Sequence, residues 1–272
     1  MPMPKGHALI TGGSSGIGLA VALQLAAADH PVTLIARGPA RLAAAAGTIR
    51  RRHPTARLHE ASADVTDADA LVRAVAGAVV TLGPLSLLIC SAGIAAPGTF
   101  ASVAPDLHRQ VMETNYFGVL NAINAATPHL EPGSRICILG SAVGIAGFYG
   151  YSAYAPSKFA LRGLAEVLRI ELGAKGIGVT LCMPPDTDTP QLAAEIPLRP
   201  AVTGRIAALG SVLPADAVAK ALVAGLAANR FLVLPGLLLK ALYLFSGMLG
   251  PALRALQGHF LRQDRRQAER YE

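Results

Sequence analysis

The stretch TGGSSGIG, residues 11–18, connects two segments with different hydrophobic patterns. The residues before it, HALIT (7–11), form a short apolar run of the kind found in buried strands. Residues 16–28, after it, have the spacing of a helix with an apolar face. The order of strand, glycine-rich turn and helix is typical of a loop in which the backbone must come close to another group.

The residue types in this loop predict that it binds phosphate. We expect Gly12 to permit the tight turn, Gly16 to let a pyrophosphate approach the backbone, and Gly18 to let the helix pack against the strand. N–H groups at the start of a helix attract anions, and two serine hydroxyls lie beside them. The loop residues predicted to contact a dinucleotide are Gly12, Ser14, Ser15, Gly16, Ile17 and Gly18.

The remainder of the chain alternates between strand-like and helix-like segments. Strands are predicted at residues 7–11, 31–36, 57–62, 85–90, 134–140, 177–183 and 230–235. Helices are predicted at residues 16–28, 40–52, 67–81, 105–127, 154–174 and 214–228. The strands are continuous apolar runs, which is typical of strands buried on both faces. The pattern predicts an α/β fold, a Rossmann-type doubly wound sheet of seven parallel strands with helices on both faces. In such sheets ligands bind beyond the carboxyl ends of the strands.

The composition limits the class of partner and the cellular compartment. The 272 residues carry a formal net charge of +7, yet aromatic residues make up 5% and there is no Trp. No stretch interleaves cations with aromatics, so nucleic-acid binding is not expected. The three cysteines lack CxxC spacing, which favours buried free thiols in a reducing compartment. No apolar run precedes the first strand, so a cytoplasmic location is expected.

The end of the second strand distinguishes two dinucleotides. An acidic residue there would bond the ribose 2′-hydroxyl, whereas a cation would accommodate a 2′-phosphate. The strand ends in LIAR (34–37), with Arg37 followed one helical turn later by Arg41. The sequence therefore predicts NADP(H) as the cofactor, against the alternative that both are ordinary surface arginines. Asp64 is predicted either to meet the adenine amino group or to form a capping turn with Asp67.

Four polar residues near strand ends and helix starts predict proton-transfer chemistry. Tyr154 and Lys158 in YAPSK are four residues apart and share a helix face. An ammonium near a phenol stabilises the phenolate, so we expect a lowered pKa for Tyr154 and a role as general acid and base. Ser141 follows the fifth strand and would bond a carbonyl oxygen. Asn115 is predicted to hold a water that links Lys158 to solvent.

Over residues 6–236 these motifs resemble the short-chain dehydrogenase/reductase family. The resemblance implies that Ser141 orients the substrate carbonyl, Tyr154 transfers the proton, and Lys158 holds the nicotinamide ribose. It also implies a proton relay through Asn115. The remaining cofactor contacts that it implies are Val65, Ala92, Gly93, Tyr154, Lys158, Pro184, Thr187 and Thr189. One departure is CSAG (90–93), where the family usually has Asn-Asn-Ala-Gly; Cys90 does not replace the hydrogen bonds of a carboxamide.

Two further stretches, residues 147–172 and PPDTDTP (184–190), resemble the 3-ketodihydrosphingosine reductases. This resemblance implies NADPH-dependent reduction of the 3-keto group of a long-chain amino-ketone in sphingolipid biosynthesis. Asp186 and Asp188 are predicted either to cap the helix that follows or to complement the substrate ammonium. Pro184 and Pro185 are expected to fix the turn, and Thr187 and Thr189 to face the nicotinamide carboxamide.

The C-terminal segment changes character after residue 236. We expect a reductase domain at 1–236 and an extension at 237–272 of apolar helices with a basic end. An apolar helix with a cationic end suits a peripheral anchor on the cytoplasmic face of a membrane. The alternative is a helix pair that covers the substrate cleft or is buried in a dimer. Both readings are compatible with a lipid substrate.

Other functions remain as alternatives. The same motifs suit a reductase or dehydrogenase of another lipid, steroid or acyl ketone, and the fold also serves non-catalytic dinucleotide sensors. A metal centre at Asp186 and Asp188 is not expected because the seven histidines show no ligand spacing. The family resemblance implies a homodimer or homotetramer that associates through the helices at 105–127 and 154–174.

Overall fold

The computed structural model describes residues 4–268 of the chain. The predicted reductase domain starts at residue 1 and the predicted extension ends at residue 272. Residues 1–3 and 269–272 lie outside the described residues. The strands are β1 (His7–Thr11), β2 (Val32–Ala36), β3 (Leu58–Ser62), β4 (Leu85–Cys90), β5 (Leu130–Leu139), β6 (Gly178–Cys182), β7 (Thr187–Asp188), β8 (Leu213–Pro214) and β9 (Leu232–Val233). The helices are α1 (Gly16–Ala27), α2 (Pro39–Arg52), α3 (Ala68–Leu82), α4 (Pro105–Met112), α5 (Gly118–Ala126), α6 (Tyr154–Glu171), α7 (Pro190–Glu195), α8 (Ala201–Ala207), α9 (Ala215–Ala227), α10 (Leu237–Leu244) and α11 (Ser246–Ala268).

Seven strands form one parallel sheet in the order β3-β2-β1-β4-β5-β6-β9, which confirms the predicted fold class. β1 pairs with β2 on one side, with Ala8 opposite Val32, and with β4 on the other, with Thr11 opposite Cys90. The chain therefore builds the sheet outward from β1 in two directions. The point between β1 and β4 where the direction reverses opens a crevice at the carboxyl ends of the strands.

The sheet is buried on both faces by helices. Leu9 faces a cluster formed with α3, α5 and α6, and its neighbour Ile10 faces a second cluster formed with α1, α2 and α9. Both side chains are fully buried. This explains why the strands are continuous apolar runs, since alternate residues enter different halves of the core.

The three cysteines lie near the middle of this core. Cys90, Cys137 and Cys182 belong to the adjacent strands β4, β5 and β6, and all three are buried free thiols. Burial raises the pKa of Cys90 and of Cys182 to about 12. The sequence-based expectation of buried free thiols is confirmed for all three.

Three local features differ from the predicted elements. The helix expected at 105–127 contains a π turn at Glu113–Phe117, between α4 and α5. The last strand, expected at 230–235, shortens to two residues, because only Leu232 and Val233 pair with β6. The helix α8 and the small parallel sheet of β7 and β8 were not expected. All three depend on contacts with distant parts of the chain, which local patterns do not contain.

The described part of the C-terminal segment packs against the domain. Gly236, with φ of +96°, immediately precedes α10, and Leu239 of α10 joins the core cluster beside α6. Gln257 of α11 is buried and accepts a hydrogen bond from the backbone N–H of Tyr149 at 2.7 Å. Within residues 4–268 no single helix is long and apolar enough to cross a membrane. By length and composition alone, α10 and the first part of α11 would suffice together, although they meet at a bend of 105°.

Candidate active site

The loop between β1 and α1 has the geometry that phosphate binding requires. Gly12 has φ of +69° and Gly16 has φ of +54°, a region that favours glycine. A Cβ atom on Gly12 would lie 2.7 Å from the Ala92 backbone nitrogen, and one on Gly18 would lie 2.4 Å from the Gly12 carbonyl oxygen. Ser15 precedes α1 without capping it through its side chain. The N–H groups at the start of α1 are thus available to an anion.

Two connected cavities extend from this loop along the carboxyl edge of the sheet. The first, which we call the catalytic cleft, has a volume of about 190 Å³ and reaches from Ser15 and Gly16 to Tyr154. The second, the arginine cavity, has a volume of about 320 Å³. Gly12 and Gly93 line both. An elongated dinucleotide fits this arrangement, because the glycine loop lies at the junction where its phosphates would bind.

Most of the predicted cofactor contacts line these cavities. The catalytic cleft contains Gly12, Ser15, Gly16, Ile17, Gly93, Tyr154, Lys158, Pro184, Thr187 and Thr189. The arginine cavity contains Gly12, Ser14, Arg37, Arg41, Asp64, Val65, Ala92 and Gly93. Gly18 lines neither cavity and lies against the Gly12 carbonyl instead. The missing side chain there lets α1 pack close to the end of β1, which is the role predicted for Gly18.

Asp64 performs a structural task in the turn after β3. Its Oδ1 accepts hydrogen bonds from the Thr66 backbone N–H at 3.0 Å and from the Thr66 hydroxyl at 2.9 Å. Asp67, by contrast, caps α3 by accepting from the Ala70 N–H. The other Asp64 oxygen lies 3.8 Å from Arg37. Both sequence-based interpretations of Asp64 therefore stay compatible with its position, since it braces a turn and also lines the arginine cavity.

Asn115 lies fully buried in the π turn and holds the segment that follows β4. Its Oδ1 accepts from the Ile94 backbone N–H at 2.8 Å, and its Nδ2 donates to the Ile94 carbonyl at 2.9 Å. The same Nδ2 donates to the Ser157 hydroxyl at 3.0 Å. Both amide protons are thus used within the protein. Asn115 braces this segment where Cys90 lacks a carboxamide, and the predicted water relay stays a prediction.

Ser141, Tyr154 and Lys158 meet at the inner end of the catalytic cleft. Ser141 follows β5, Tyr154 begins α6, and their hydroxyl groups share a hydrogen bond. The Lys158 ammonium donates to the Leu139 carbonyl at 3.0 Å and lies 5.5 Å from the centre of the Tyr154 ring. The spacing of four residues therefore places lysine and tyrosine on one helix face, as the sequence predicts.

The expected fall in the pKa of Tyr154 is wrong for this arrangement. Burial raises the pKa of the Tyr154 phenol above its ordinary value, and the Glu195 carboxylate raises it further. The hydrogen bond from Ser141 acts in the opposite direction but does not prevail. The Lys158 ammonium is itself buried, and burial lowers its pKa to about 8. Desolvation of the phenolate, which depends on burial in the folded chain, is the largest effect on this pKa.

A buried ionic network beside Tyr154 was missed by the sequence analysis. Arg199 donates to Asp186 at 2.6 and 2.9 Å and to Glu195 at 2.7 and 3.0 Å, and the Tyr151 hydroxyl donates to Glu195. Burial opposes the charge of Arg199, but hydrogen bonds to both carboxylates outweigh it and raise its pKa. Two carboxylates facing one guanidinium leave a surplus negative charge. The local signal for this network is the spacing of Glu195 and Arg199, which are four residues apart in the sequence.

The turn after β6 corrects one prediction about the aspartates. Thr189, rather than Asp186 or Asp188, caps α7 by accepting from the Leu192 N–H at 3.2 Å. Asp186 is instead paired with Arg199, and Asp188 is exposed. Thr187 is buried and donates to the Pro185 carbonyl at 2.9 Å, which stabilises the turn. Thr189 caps α7 because it is the residue directly before the helix. Asp188 and Asp186 lie two and four residues before the first residue of α7.

These features define a dinucleotide-dependent dehydrogenase site, and comparison with known proteins identifies the family. The family model for short chain dehydrogenases matches residues 6–197. The chain belongs to this family.

Comparison with individual curated proteins gives a narrower class of enzyme to which the chain is similar. The chain is 37% identical over 239 residues to a 3-dehydrosphinganine reductase of Arabidopsis thaliana, covering 86% of this chain and 70% of the relative. It is 36% identical to the 3-dehydrosphinganine reductase of Danio rerio, covering 80% of this chain and 67% of the relative. It is 34% identical to the 3-ketodihydrosphingosine reductase of Bos taurus, with 82% and 69% covered.

Solved structures share the fold. A dehydrogenase/reductase from Sinorhizobium meliloti is 29% identical with a TM-score of 0.75, covering 86% of this chain and 96% of that one. A short-chain dehydrogenase/reductase from Burkholderia phymatum, solved in complex with NAD, is 22% identical with a TM-score of 0.81, and the match covers 92% and 95%. The second likeness is evidence for the fold alone.

Replacing Lys158 with Met should raise the free energy of unfolding at pH 7, because a buried ammonium is costly. The gain is on the order of 2 kcal/mol, since part of it is offset by the lost bond to Leu139. The pKa of Lys158 is lower in the folded chain than its ordinary value of 10.5, so the unfolded chain binds more protons between about pH 8 and 10.5. The unmodified protein therefore gains stability across this window, and the advantage of the variant shrinks. Urea denaturation at pH 7 and pH 10 measures both effects.

The matched control for this experiment is Lys175→Met, because Lys175 is exposed. It should change the free energy of unfolding by less than about 0.5 kcal/mol at either pH. If Lys158→Met destabilises the chain equally at pH 7 and pH 10, the ammonium is not the source of the cost.

Proposed function

We propose that this protein reduces the 3-keto group of 3-ketodihydrosphingosine to dihydrosphingosine, with NADPH, in sphingolipid biosynthesis. The observation that carries the reduction is the hydrogen-bonded pair of Ser141 and Tyr154 in the same cleft as the glycine loop. The choice of substrate is supported by the names of relatives at 34 to 37% identity.

The residues of the cleft divide the reaction between them. When bound, the nicotinamide supplies the hydride that attacks the ketone carbon. The Ser141 and Tyr154 hydroxyls hydrogen-bond the ketone oxygen, where negative charge develops. Tyr154 gives its proton to that oxygen, so the C=O double bond becomes an alcohol. We assign to Lys158 the binding of the ribose hydroxyls and the stabilisation of the phenolate that remains.

The raised pKa of Tyr154 suits this direction of reaction. A phenol with a pKa above its ordinary value is protonated at neutral pH, which is the form that donates. Reduction needs this form, whereas oxidation of the alcohol needs the phenolate. Tyr154 in this form can supply the proton that ketone reduction needs.

Arg37 and Arg41 support NADP(H) as the cofactor. Both line the arginine cavity, beyond the end of β2, where a 2′-phosphate would lie. Arg37 is 70% exposed and its contact with Asp64 is long at 3.8 Å, so its guanidinium is free to turn toward a phosphate. No acidic residue stands at the end of β2 to bond a free 2′-hydroxyl.

Replacing Arg37 with Ala should raise the KM for NADPH about tenfold, because a charge-assisted contact with the 2′-phosphate is lost. This is at the low end of the effects expected for such contacts, since the Arg37 side chain is exposed. The KM for NADH should stay unchanged, since it has no 2′-phosphate. Steady-state kinetics with both cofactors checks this, and Arg109→Ala, an exposed arginine on α4, is the control. Equal changes for both cofactors would contradict the assignment.

Two other functions would use the same motifs. The alternative within the enzyme class is reduction or oxidation of another lipid, steroid or acyl ketone. A non-catalytic dinucleotide sensor is disfavoured, because it does not need Ser141, Tyr154 and Lys158 together. The surplus charge of the Asp186, Glu195 and Arg199 network favours an amino-ketone, since an ammonium would complement it.

The decisive measurement is NADPH oxidation with 3-ketodihydrosphingosine, its analogue without the amine, and a panel of steroid and acyl ketones. We expect the highest kcat/KM for 3-ketodihydrosphingosine, and Tyr154→Phe should lower it at least about 100-fold because the proton donor is lost. Asp186→Asn should reduce the preference for the amino-ketone over its analogue. A steroid or acyl ketone turned over more efficiently than either would overturn the substrate, and activity retained in Tyr154→Phe would overturn the mechanism.

We also propose peripheral contact with the cytoplasmic face of a membrane. Apolar side chains of the C-terminal segment are exposed, with Leu237 at 82%, Leu244 at 73% and Met248 at 79%. Exposed cations lie along the same two helices, at Lys240, Arg254, Arg262 and Arg266. Apolar contact combined with cationic attraction is the means by which interfacial helices bind anionic lipid.

A vesicle sedimentation experiment tests this contact. The unmodified chain should sediment with anionic phospholipid vesicles, and the double variant Leu244→Glu, Met248→Glu should remain in solution, because charge on the apolar face opposes insertion. Val80→Glu is the control, since Val80 is 88% exposed but belongs to α3. Full-length protein that stays in solution with vesicles present would contradict the proposal.

Association into a homodimer or homotetramer through residues 105–127 and 154–174 stays a proposal. Val167 and Ile170 of α6 are 51% and 75% exposed, which is consistent with a covered face there.

A further inference from the structure

An apolar cavity lies beside the catalytic cleft and belongs to neither of the two cavities already described. It has a volume of about 330 Å³. Three helices contribute to its walls: Ile206 and Ala207 come from α8, Leu239 and Leu242 from α10, and Leu249 and Leu253 from α11. We call this cavity the chamber. Two of its walls are therefore formed by the segment after residue 236.

The chamber is continuous with the catalytic cleft. Val143, Tyr151, Pro185 and Asp186 line both spaces. The Tyr151 ring lies 5.8 Å from the Tyr154 ring, between their centres, so the junction is next to the proton donor. A molecule whose reacting carbonyl meets Tyr154 can therefore extend directly into the chamber.

Three of the four polar side chains on the chamber wall are bonded to other protein groups, and the fourth, Ser211, is exposed. Asp186 is paired with Arg199, and the Tyr151 hydroxyl donates to Glu195. The Thr203 hydroxyl donates to the Tyr149 carbonyl at 2.7 Å. Away from Asp186, at the junction with the cleft, and from the exposed Ser211, polar groups of a ligand in the chamber would lose their bonds to water without replacement. The chemistry of the walls selects a hydrocarbon.

The walls formed by the C-terminal helices are held in position by specific bonds. The Gln257 amide contacts the loop before α6 at both ends, accepting from the Tyr149 N–H at 2.7 Å and donating to the Gly147 carbonyl at 3.2 Å. Arg205 of α8 donates to the Phe260 carbonyl at 2.8 Å and pairs with Asp264. These contacts join α11 both to the loop before α6 and to α8. The chamber is therefore a built part of the domain.

We propose that the chamber binds the unbranched alkyl chain of the ketone substrate, and that α10 and α11 are its chain-binding wall. This rests on the proposed ketone reduction and adds the location of the chain. The volume lies within the range of about 300–1,000 Å³ that is usual for ligand sites. Because the chamber is bounded, it responds to chain length until it is full.

The test is the kcat/KM for NADPH oxidation with a series of straight-chain 3-ketones without an amine, from 6 to about 18 carbons. In the unmodified protein kcat/KM should rise about fourfold for each added methylene and then level off. Ala207→Phe, which fills the chamber, should lower the value for long chains about 50-fold and leave the shortest ketones unchanged. Ala208→Phe is the matched control, because Ala208 is the exposed neighbour outside the chamber. Equal profiles for the two variants would overturn the proposal.

A second filling variant and a binding measurement also test the chamber. If Ala207→Phe does not fold, as judged by its Tm, Ala241→Phe fills the chamber from α10 and should give the same profile. Calorimetric titration with dodecan-3-one measures binding without turnover, and a negative heat-capacity change absent in the filled variant supports the chamber.

The same series separates this proposal from the proposed substrate. If long simple ketones show the chain-length dependence but 3-ketodihydrosphingosine is not reduced, the chamber stands and the sphingoid substrate fails. If 3-ketodihydrosphingosine is reduced equally by Ala207→Phe and Ala208→Phe, the substrate stands and the chamber assignment fails.

Discussion

The absence of a side chain at Gly18 allows the start of α1 to lie against the end of β1. A Cβ atom there would stand 2.4 Å from the Gly12 carbonyl oxygen, which no side-chain adjustment could relieve. Because this contact is between backbones, it fixes the position of the α1 N-terminus relative to the carboxyl edge of the sheet. Ser141 and Tyr154 reach the same edge from β5 and α6, and their distance from the phosphate loop is set by the parallel register. The chemistry of the cleft depends on that fixed separation.

Burial, rather than pairwise charge, dominates the electrostatics of the cleft. The Tyr154 phenol and the Lys158 ammonium both lie in a desolvated region, where each favours its neutral form. The network around Arg199 adds a surplus negative charge nearby and strengthens this tendency for the phenol. A site of this kind holds a proton ready on the tyrosine before substrate arrives, and it gains the most from a cationic ligand.

The parts of the molecule that depend on local pattern can be predicted from the sequence. The apolar strands, the glycine loop and the four-residue spacing of Tyr154 and Lys158 all follow from periodicity and residue type. The ionic network did not, because Tyr151, Asp186 and Arg199 lie in different segments and meet only after the chain folds. The direction of the Tyr154 pKa shift cannot be predicted from the sequence for the same reason, since the extent of its burial is a property of the folded domain. Asn115, which is bonded to the Ile94 backbone, likewise lies in the π turn, and no local pattern predicts that turn.

The positions of the three cysteines have a consequence for how opening of the domain could be followed. Cys90, Cys137 and Cys182 lie on the neighbouring strands β4, β5 and β6, and both faces of the sheet are covered by helices. Their thiols are inert while the strands stay paired, because burial suppresses the reactive thiolate. None of the three cysteines lines the catalytic cleft, the arginine cavity or the chamber. Alkylation of these thiols would thus count only the rare events in which the sheet itself separates, and would distinguish global opening from motion at the entrance.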